Sequence, residues 1–207
     1  FNPPRYLRLL EIIPTPHTKP ELVDFLMHYG DKFLGKTTVL CKDTPAFIAN
    51  RVGVYSIMAL LHLVEKMDLT VEEVDKFTGP ALGRPKSATF RTTDVVGLDT
   101  MIKVSKGLYD NCPDDKAHDL FKLPAYVQKM EENNWLGDKT KQGFYKKTKS
   151  ADGKTEILAL DLKTLEYRPQ EKVKSATLET TKTIDKVADR MKVFATGKDK
   201  AAELFRA

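Results

Sequence analysis

The sequence predicts a mainly α protein that opens with a strand–helix–strand unit. Three observations carry this. Residues 6–13, "YLRLLEII", are apolar and β-rich, and Pro3-Pro4 and Pro14 fence them at both ends. The following "KPELVDFLMHYGDKFLGK" sets Leu22, Phe25, Leu26, Tyr29 and Phe33 at helical spacing and closes at Gly35. From Thr44 onward, apolar residues recur at helical spacing for about a hundred residues with only short breaks.

"TTVLCKD" reads as a second short strand after the first helix. A strand, a helix and a strand in so short a span make a βαβ unit, whose strands run parallel. Two strands alone do not make a stable sheet, so the unit reads as part of a larger one. Asp43 or Thr44 can cap the next helix with Pro45 in its first turn, and the apolar positions then continue to Lys66. Thr70 and Glu73 form a capping box for a short helix. Gly79-Pro80 and Gly83-Arg84-Pro85 make a loop. "ATFRTTDVVGLDTMIKVSKGLYDN" gives two helices hinged near Gly97, and "LPAYVQKMEENN" gives another. Beyond Thr148 the pattern alternates, and Asp152-Gly153 suits the turn of a small hairpin. Residues 170–207 are lysine-rich and weakly amphipathic, and read as a linker and helix wrapped over the surface.

Hydrophobic residues make up 41% and charged residues 30% of the 207, a globular mix too apolar for disorder. The net charge of +5 permits an anionic partner. Its lysines are interleaved with acids and accompany no stripe of exposed aromatics, so nucleic acid is not indicated. Cys41 and Cys112 lack CxxC spacing, which argues for reduced thiols in a cytoplasmic protein. The four histidines never pair as HxxxH or HxH, and no metal site is expected. The longest apolar run, "AFIANRVGVYSIMALLHLVEK", is broken by Asn50, Arg51 and His62 and does not read as a membrane span.

Two polar residues sit where polarity is costly. Glu11 is the one acid in "LLEII"; it either has a partner or points outward from an edge strand. Asn50 lies about five residues past Pro45, too deep for a cap and in a helix that disfavours it. A buried amide there needs a partner, either a neighbouring loop or a substrate carbonyl.

Four stretches, "FNPPRYLRLLEIIPTPHT", "GKTTVLCKDTPAFIANR", "DVVGLDT" and "LGDKTKQGFYKK", occur in this order over residues 1–147. Together they resemble the 3-hydroxyacyl-CoA dehydrogenases of fatty-acid β-oxidation. The resemblance implies a strand–helix–strand remnant of a Rossmann sheet over 1–43. It implies a helical substrate-binding and dimerisation domain of the 6-phosphogluconate dehydrogenase C-terminal-like type over 44–148. Residues 149–207 then form a hairpin and a linker or helix leading toward a second repeat. The implied reaction is NAD-dependent oxidation of a (S)-3-hydroxyacyl-CoA to the 3-ketoacyl-CoA. Glu11 matches the carboxylate that orients the family's histidine base, which would lie two positions before Phe1. Asn50 matches the amide that binds the forming keto oxygen. Asn2 matches a contact to the nicotinamide end of NAD, and Lys139 a lysine that reaches NAD from the helical domain.

No GxGxxG occurs among the 11 glycines. The expectation is that the NAD site lies mostly in an N-terminal domain outside these residues, and that the isolated chain is inactive. Pro45-Ala46-Phe47 replaces the family's Pro-Gly-Phe, which reads as a mild first-turn change. The loop "GPALGRPKSATF" and Lys141-Gln142 also depart from the pattern. They resemble the bacterial multifunctional branch, in which an enoyl-CoA hydratase is fused. A homodimer through the 46–66 helix is expected. The alternative readings are a non-catalytic structural or dimerisation module on the same fold, and an anion-binding module.

Overall fold

The computed structural model describes residues 1, 4–149 and 153–207, so Asn2 and the Asp152 half of the hairpin turn lie outside the described residues. Strands β1 (Leu9–Ile12) and β2 (Thr37–Leu40) pair in parallel, from Leu9↔Thr37 to Ile12↔Leu40, with α1 (Pro20–Lys32) crossing between them. The first strand is shorter than residues 6–13 because its one partner among the described residues offers only four in register. Gly30 lets α1 lie directly on the sheet: a Cβ there would stand 2.5 Å from Cγ2 of Thr38. Asp31 Oδ1 fixes the register by accepting from the Thr38 N–H and hydroxyl, each at 2.9 Å. The outer face of α1 stays open, with Phe25, Tyr29 and Phe33 stacked at centroid distances of 5.7 and 5.4 Å.

The core belongs to α2 (Ala49–Met67), α3 (Val71–Phe77), α4 (Phe90–Val96), α5 (Leu98–Asn111) and α6 (Ala125–Glu132). Met58, Leu61, Phe90, Leu98, Ile102, Phe121, Met130 and Phe144 are fully enclosed among them. The capping box forms as expected, with Glu73 N donating to Thr70 Oγ1 at 3.2 Å and Thr70 N to Glu73 Oε2 at 3.0 Å. The break at Gly97 also forms, at φ +102. The start of α2 differs from the expectation. Residues 45–48 are turns, and the helix begins at Ala49 rather than near Pro45. Ala46 and Phe47 stand at φ +62 and +53, a left-handed pair that no α-helix accommodates. Alanine at a position that favours glycine is therefore a strained exchange, costing about 1 kcal/mol, and not a mild first-turn change.

Residues 145–169 form a three-stranded antiparallel sheet rather than a lone hairpin: β3 (Tyr145–Lys149), β4 (Thr155–Leu160) and β5 (Tyr167–Pro169). Arg168 fastens it to α3 through a 2.7 Å ion pair with the buried Glu72. Three short helices follow, α7 (Ala176–Thr181), α8 (Val187–Thr196) and α9 (Lys200–Arg206). They are not a surface wrap, since Phe194, Ala201, Ala202 and Leu204 are buried and most of them join the main core. Asp199 holds this segment together. It accepts from the Ser175 and Thr177 hydroxyls at 2.7 Å, and from Thr177 N and Ala202 N. Burial opposes its charge, yet these donors hold its carboxyl down at about 2.

The two halves of the helical domain meet at Asp94, which is 1% exposed. Its Oδ1 accepts from Phe144 N at 2.9 Å and its Oδ2 from Tyr145 N at 2.8 Å. The Tyr145 hydroxyl donates to Asp75 Oδ2 at 2.9 Å, and Asp75 also takes the N–H groups of Thr89, Phe90 and Arg91 at the start of α4.

Burial pushes the Asp94 carboxyl up to about 7, against the pull of its two N–H donors and of Arg91, with Asp138 adding a small further rise. The folded protein therefore keeps a proton that the unfolded chain releases near the ordinary aspartate value of 3.8. Stability from this group is complete below that value, falls as pH rises toward about 7, and is level above it. Urea unfolding across this window should show a decline of up to about 1.4 kcal/mol per pH unit. Asp75, also raised by burial, acts in the same direction. Asp94→Asn should flatten most of the slope; an unchanged slope would assign it to another group.

Candidate active site

The carboxyl ends of β1 and β2 point at the start of α2. In open α/β sheets, ligands bind in the crevice at that end of the strands. Glu11 stands in β1 one residue before its end, and its Oε1 accepts from Ile48 N at 3.2 Å and Ala49 N at 2.8 Å. Its own sequence gives α2 no side-chain cap, so Glu11 supplies one from 37 residues away. Glu11 is therefore neither unpartnered nor simply directed outward. Cys41 follows β2 at the same end; burial raises its thiol pKa first, and the neighbouring Glu11 charge raises it further.

Asn50 is the second residue of α2 and is exposed. The sequence expectation of a buried amide in mid-helix does not hold, because the helix starts four residues later than Pro45 suggests. The residue still belongs to the junction, since Glu11 binds the N–H groups immediately before it. Arg51, next in line, pairs with Asp115 and ties the same turn to the loop after α5. Asp115 is held below the usual carboxylate range by the Ala117 N–H and then by Arg51.

Lys139 belongs to a different cluster. It lies in the turn Asp138–Thr140, 48% exposed, and its ammonium pairs with Asp99 in the first turn of α5. No hydrogen bond or ion pair among the described residues joins it to Glu11 or Asn50. Its loop is gripped at both ends by Asp94. A Cβ on Gly137 would come within 2.2 Å of the Asp94 carbonyl oxygen, and one on Gly143 within 2.1 Å of its Oδ1.

Sequence reading overlooked Asp94, Asp75, Arg51 and Cys41 as parts of this architecture. Asp94 carried a usable signal, a charged residue set among apolar ones ahead of a glycine in "DVVGLDT". Asp75 carried none, because its partners lie 14 to 70 residues away in sequence. Polar groups able to meet a nicotinamide cofactor stand in two separate places: an exposed Lys139 ammonium on a tightly held loop, and the Glu11 carboxylate at the strand end with Asn50 exposed in the turn beside it. Among the described residues no group of three or more His, Cys, Asp or Glu could hold a metal ion.

Two family models match in succession. The 3-hydroxyacyl-CoA dehydrogenase NAD binding domain matches residues 1–44, and the 3-hydroxyacyl-CoA dehydrogenase C-terminal domain matches residues 47–147. The first match corrects the expectation that the cofactor site lies mostly outside these residues, because residues 1–44 are themselves part of the NAD binding domain. A probable 3-hydroxyacyl-CoA dehydrogenase of Bacillus subtilis is 46% identical over 99% of this chain, which spans 25% of that protein. A protein of the same description from Deinococcus radiodurans is 48% identical over 72% of this chain, covering 42% of its own length. The chain thus spans from about a quarter to somewhat less than half of the curated relatives it matches. The crystal structure of M. tuberculosis FadB2 superposes with a TM-score of 0.62 at 29% identity, covering 70% of this chain and 50% of that one. With two successive domain models matched across the strand–helix–strand unit and the helical domain, the chain belongs to the 3-hydroxyacyl-CoA dehydrogenase family.

Proposed function

We propose that these residues serve an NAD-dependent dehydrogenase that oxidises a (S)-3-hydroxyacyl-CoA to the 3-ketoacyl-CoA in fatty-acid oxidation. The observation that carries the reading is the junction of Glu11 with the start of α2, where the carboxylate holds the two backbone N–H groups just before Asn50. The hydrogen bonds to α2 use Oε1 alone, and Oε2 would receive the N–H of an imidazole base in place of the neighbouring Cys41 thiol. A carboxylate there fixes the tautomer and stabilises the imidazolium once the base has taken the hydroxyl proton. Asn50 donates to the oxygen that becomes the ketone, aided by the positive end of a 19-residue helix. When bound, NAD accepts the hydride from C3. Asn2 and Lys139 are the residues of this chain that would contact it. The helical domain is read as the 6-phosphogluconate dehydrogenase C-terminal-like type.

Glu11→Gln tests the catalytic part. Glutamine keeps an acceptor for Ile48 and Ala49 but removes the charge. In the full-length protein kcat should fall on the order of 100-fold or more, with NAD affinity little changed. A wild-type kcat in a folded Glu11→Gln protein would reduce Glu11 to a helix cap.

The second part of the proposal is a homodimer through α2. Val52 and Tyr55 stand at i and i+3 on one exposed stripe of that helix, with the exposed Ile48 just before its start, Val52 being 61% exposed. An apolar stripe on a helix otherwise fixed in the core is suited to a twofold helix–helix contact. Light scattering should give a dimer for the wild type and a monomer for Val52→Glu/Tyr55→Glu. A monomeric wild type at high concentration would dismiss the interface.

A further inference from the structure

We propose that Asp94 is a positioning residue for Lys139, fixing its ammonium through the glycine clasp that carries its loop. The inference rests on the reading of Lys139 as a cofactor contact. The two Asp94 oxygens take one N–H each from consecutive residues, Phe144 and Tyr145. Binding both removes sliding and rotation together at the point where the chain leaves the loop. At either end of the loop, Gly137 and Gly143 press against Asp94 so closely that neither tolerates a Cβ.

Between these points every neighbour of Lys139 is tied. Thr140 Oγ1 accepts from Leu136 N at 2.9 Å and donates to the Gln142 carbonyl at 3.0 Å. The Leu136 carbonyl accepts from Leu98 N at 3.0 Å, which joins the loop to the first turn of α5. Asp138 receives both terminal nitrogens of Arg91 from α4. The Asp138–Arg91 pair is as exposed but holds by two contacts, whereas Lys139 meets Asp99 through one oxygen, and a single exposed pair of that kind is weak and readily exchanged for another anion. The arrangement is a rigid mount from which the Lys139 ammonium extends.

A double-mutant cycle on the full-length protein tests this, with NADH affinity read by fluorescence titration. Asp94→Asn keeps one acceptor but sets an NH2 against a backbone N–H donor. It should weaken NADH binding about 10-fold in the wild-type background and less than about 2-fold in Lys139→Gln, the signature of coupled sites. The KM for the acyl-CoA substrate should not move. Equal losses in both backgrounds would make Asp94 a merely structural residue and overturn the proposal. An unaltered NADH affinity in Lys139→Gln by itself would overturn the cofactor reading of Lys139, and the inference with it. Should Asp94→Asn not fold, Thr140→Val loosens the same loop from inside and should show the same coupling. Amide exchange over residues 137–143 without NADH should quicken in either variant; unchanged exchange would count against the mount.

Discussion

The carboxylate of Glu11 takes the opening N–H groups of α2, and this contact sets the strand–helix–strand unit against the helical domain. The dependence runs in both directions. Without it, α2 would begin with orphan donors behind a left-handed pair at Ala46 and Phe47, and the turn carrying Asn50 would have no fixed start. Conversely, Glu11 would be an acid in an apolar strand with nothing to offset its partial burial. The residue to which the proposed function gives the orienting role is thus the one that closes the junction.

The same device recurs through the molecule. α4 starts at Phe90 with no side-chain cap of its own at Thr89, and Asp75 supplies one from α3. β3 begins with two N–H groups delivered to Asp94 from α4. Asp199 caps its own helix and reaches back to Ser175 and Thr177. In each case a carboxylate satisfies backbone donors far away in sequence, so a local terminus and a tertiary contact become one interaction. Each side chain joins several donors, and where it stays charged, as Asp199 does, its hydrogen bonds are stronger than neutral ones. This is how elements of only six to eight residues, such as α4, α7 and α9, hold their places.

What could be read from the sequence was whatever local pattern encodes. The parallel βαβ unit, the Thr70–Glu73 capping box and the break at Gly97 each rest on residues within a few positions of one another, and each forms. The start of α2 was misread because Pro45 is a permitted first-turn residue, whereas the deciding feature is the backbone conformation at Ala46 and Phe47. Asn50 was consequently placed too deep. The three C-terminal helices were missed because each is short, and their buried residues, Phe194, Ala201 and Leu204, sit among lysines that mask the helical period. Their fixed point, Asp199, works through Ser175 and Thr177, more than 20 residues earlier. Glu11 stood out as the one acid in an apolar strand, but its role was legible only through a resemblance, as was that of Lys139, which does not stand out among the lysines around it.

Reactive groups and their supports face opposite physical demands. In the proposed function Asn50 and Lys139 touch substrate and cofactor; both are exposed, and an exposed polar side chain is held weakly. Precision must then come from neighbours that are not reachable, where the low dielectric strengthens each hydrogen bond. Asp94 meets that demand beneath Lys139, and its burial carries the cost seen in its raised pKa. Glu11 meets it only in part, because it must remain open enough to hold a base while anchoring α2. A carboxylate with both duties cannot be buried as deeply as Asp94, which accounts for the junction being closed by two N–H bonds to a half-buried residue, with Arg51 and Asp115 bracing the same turn from the other side.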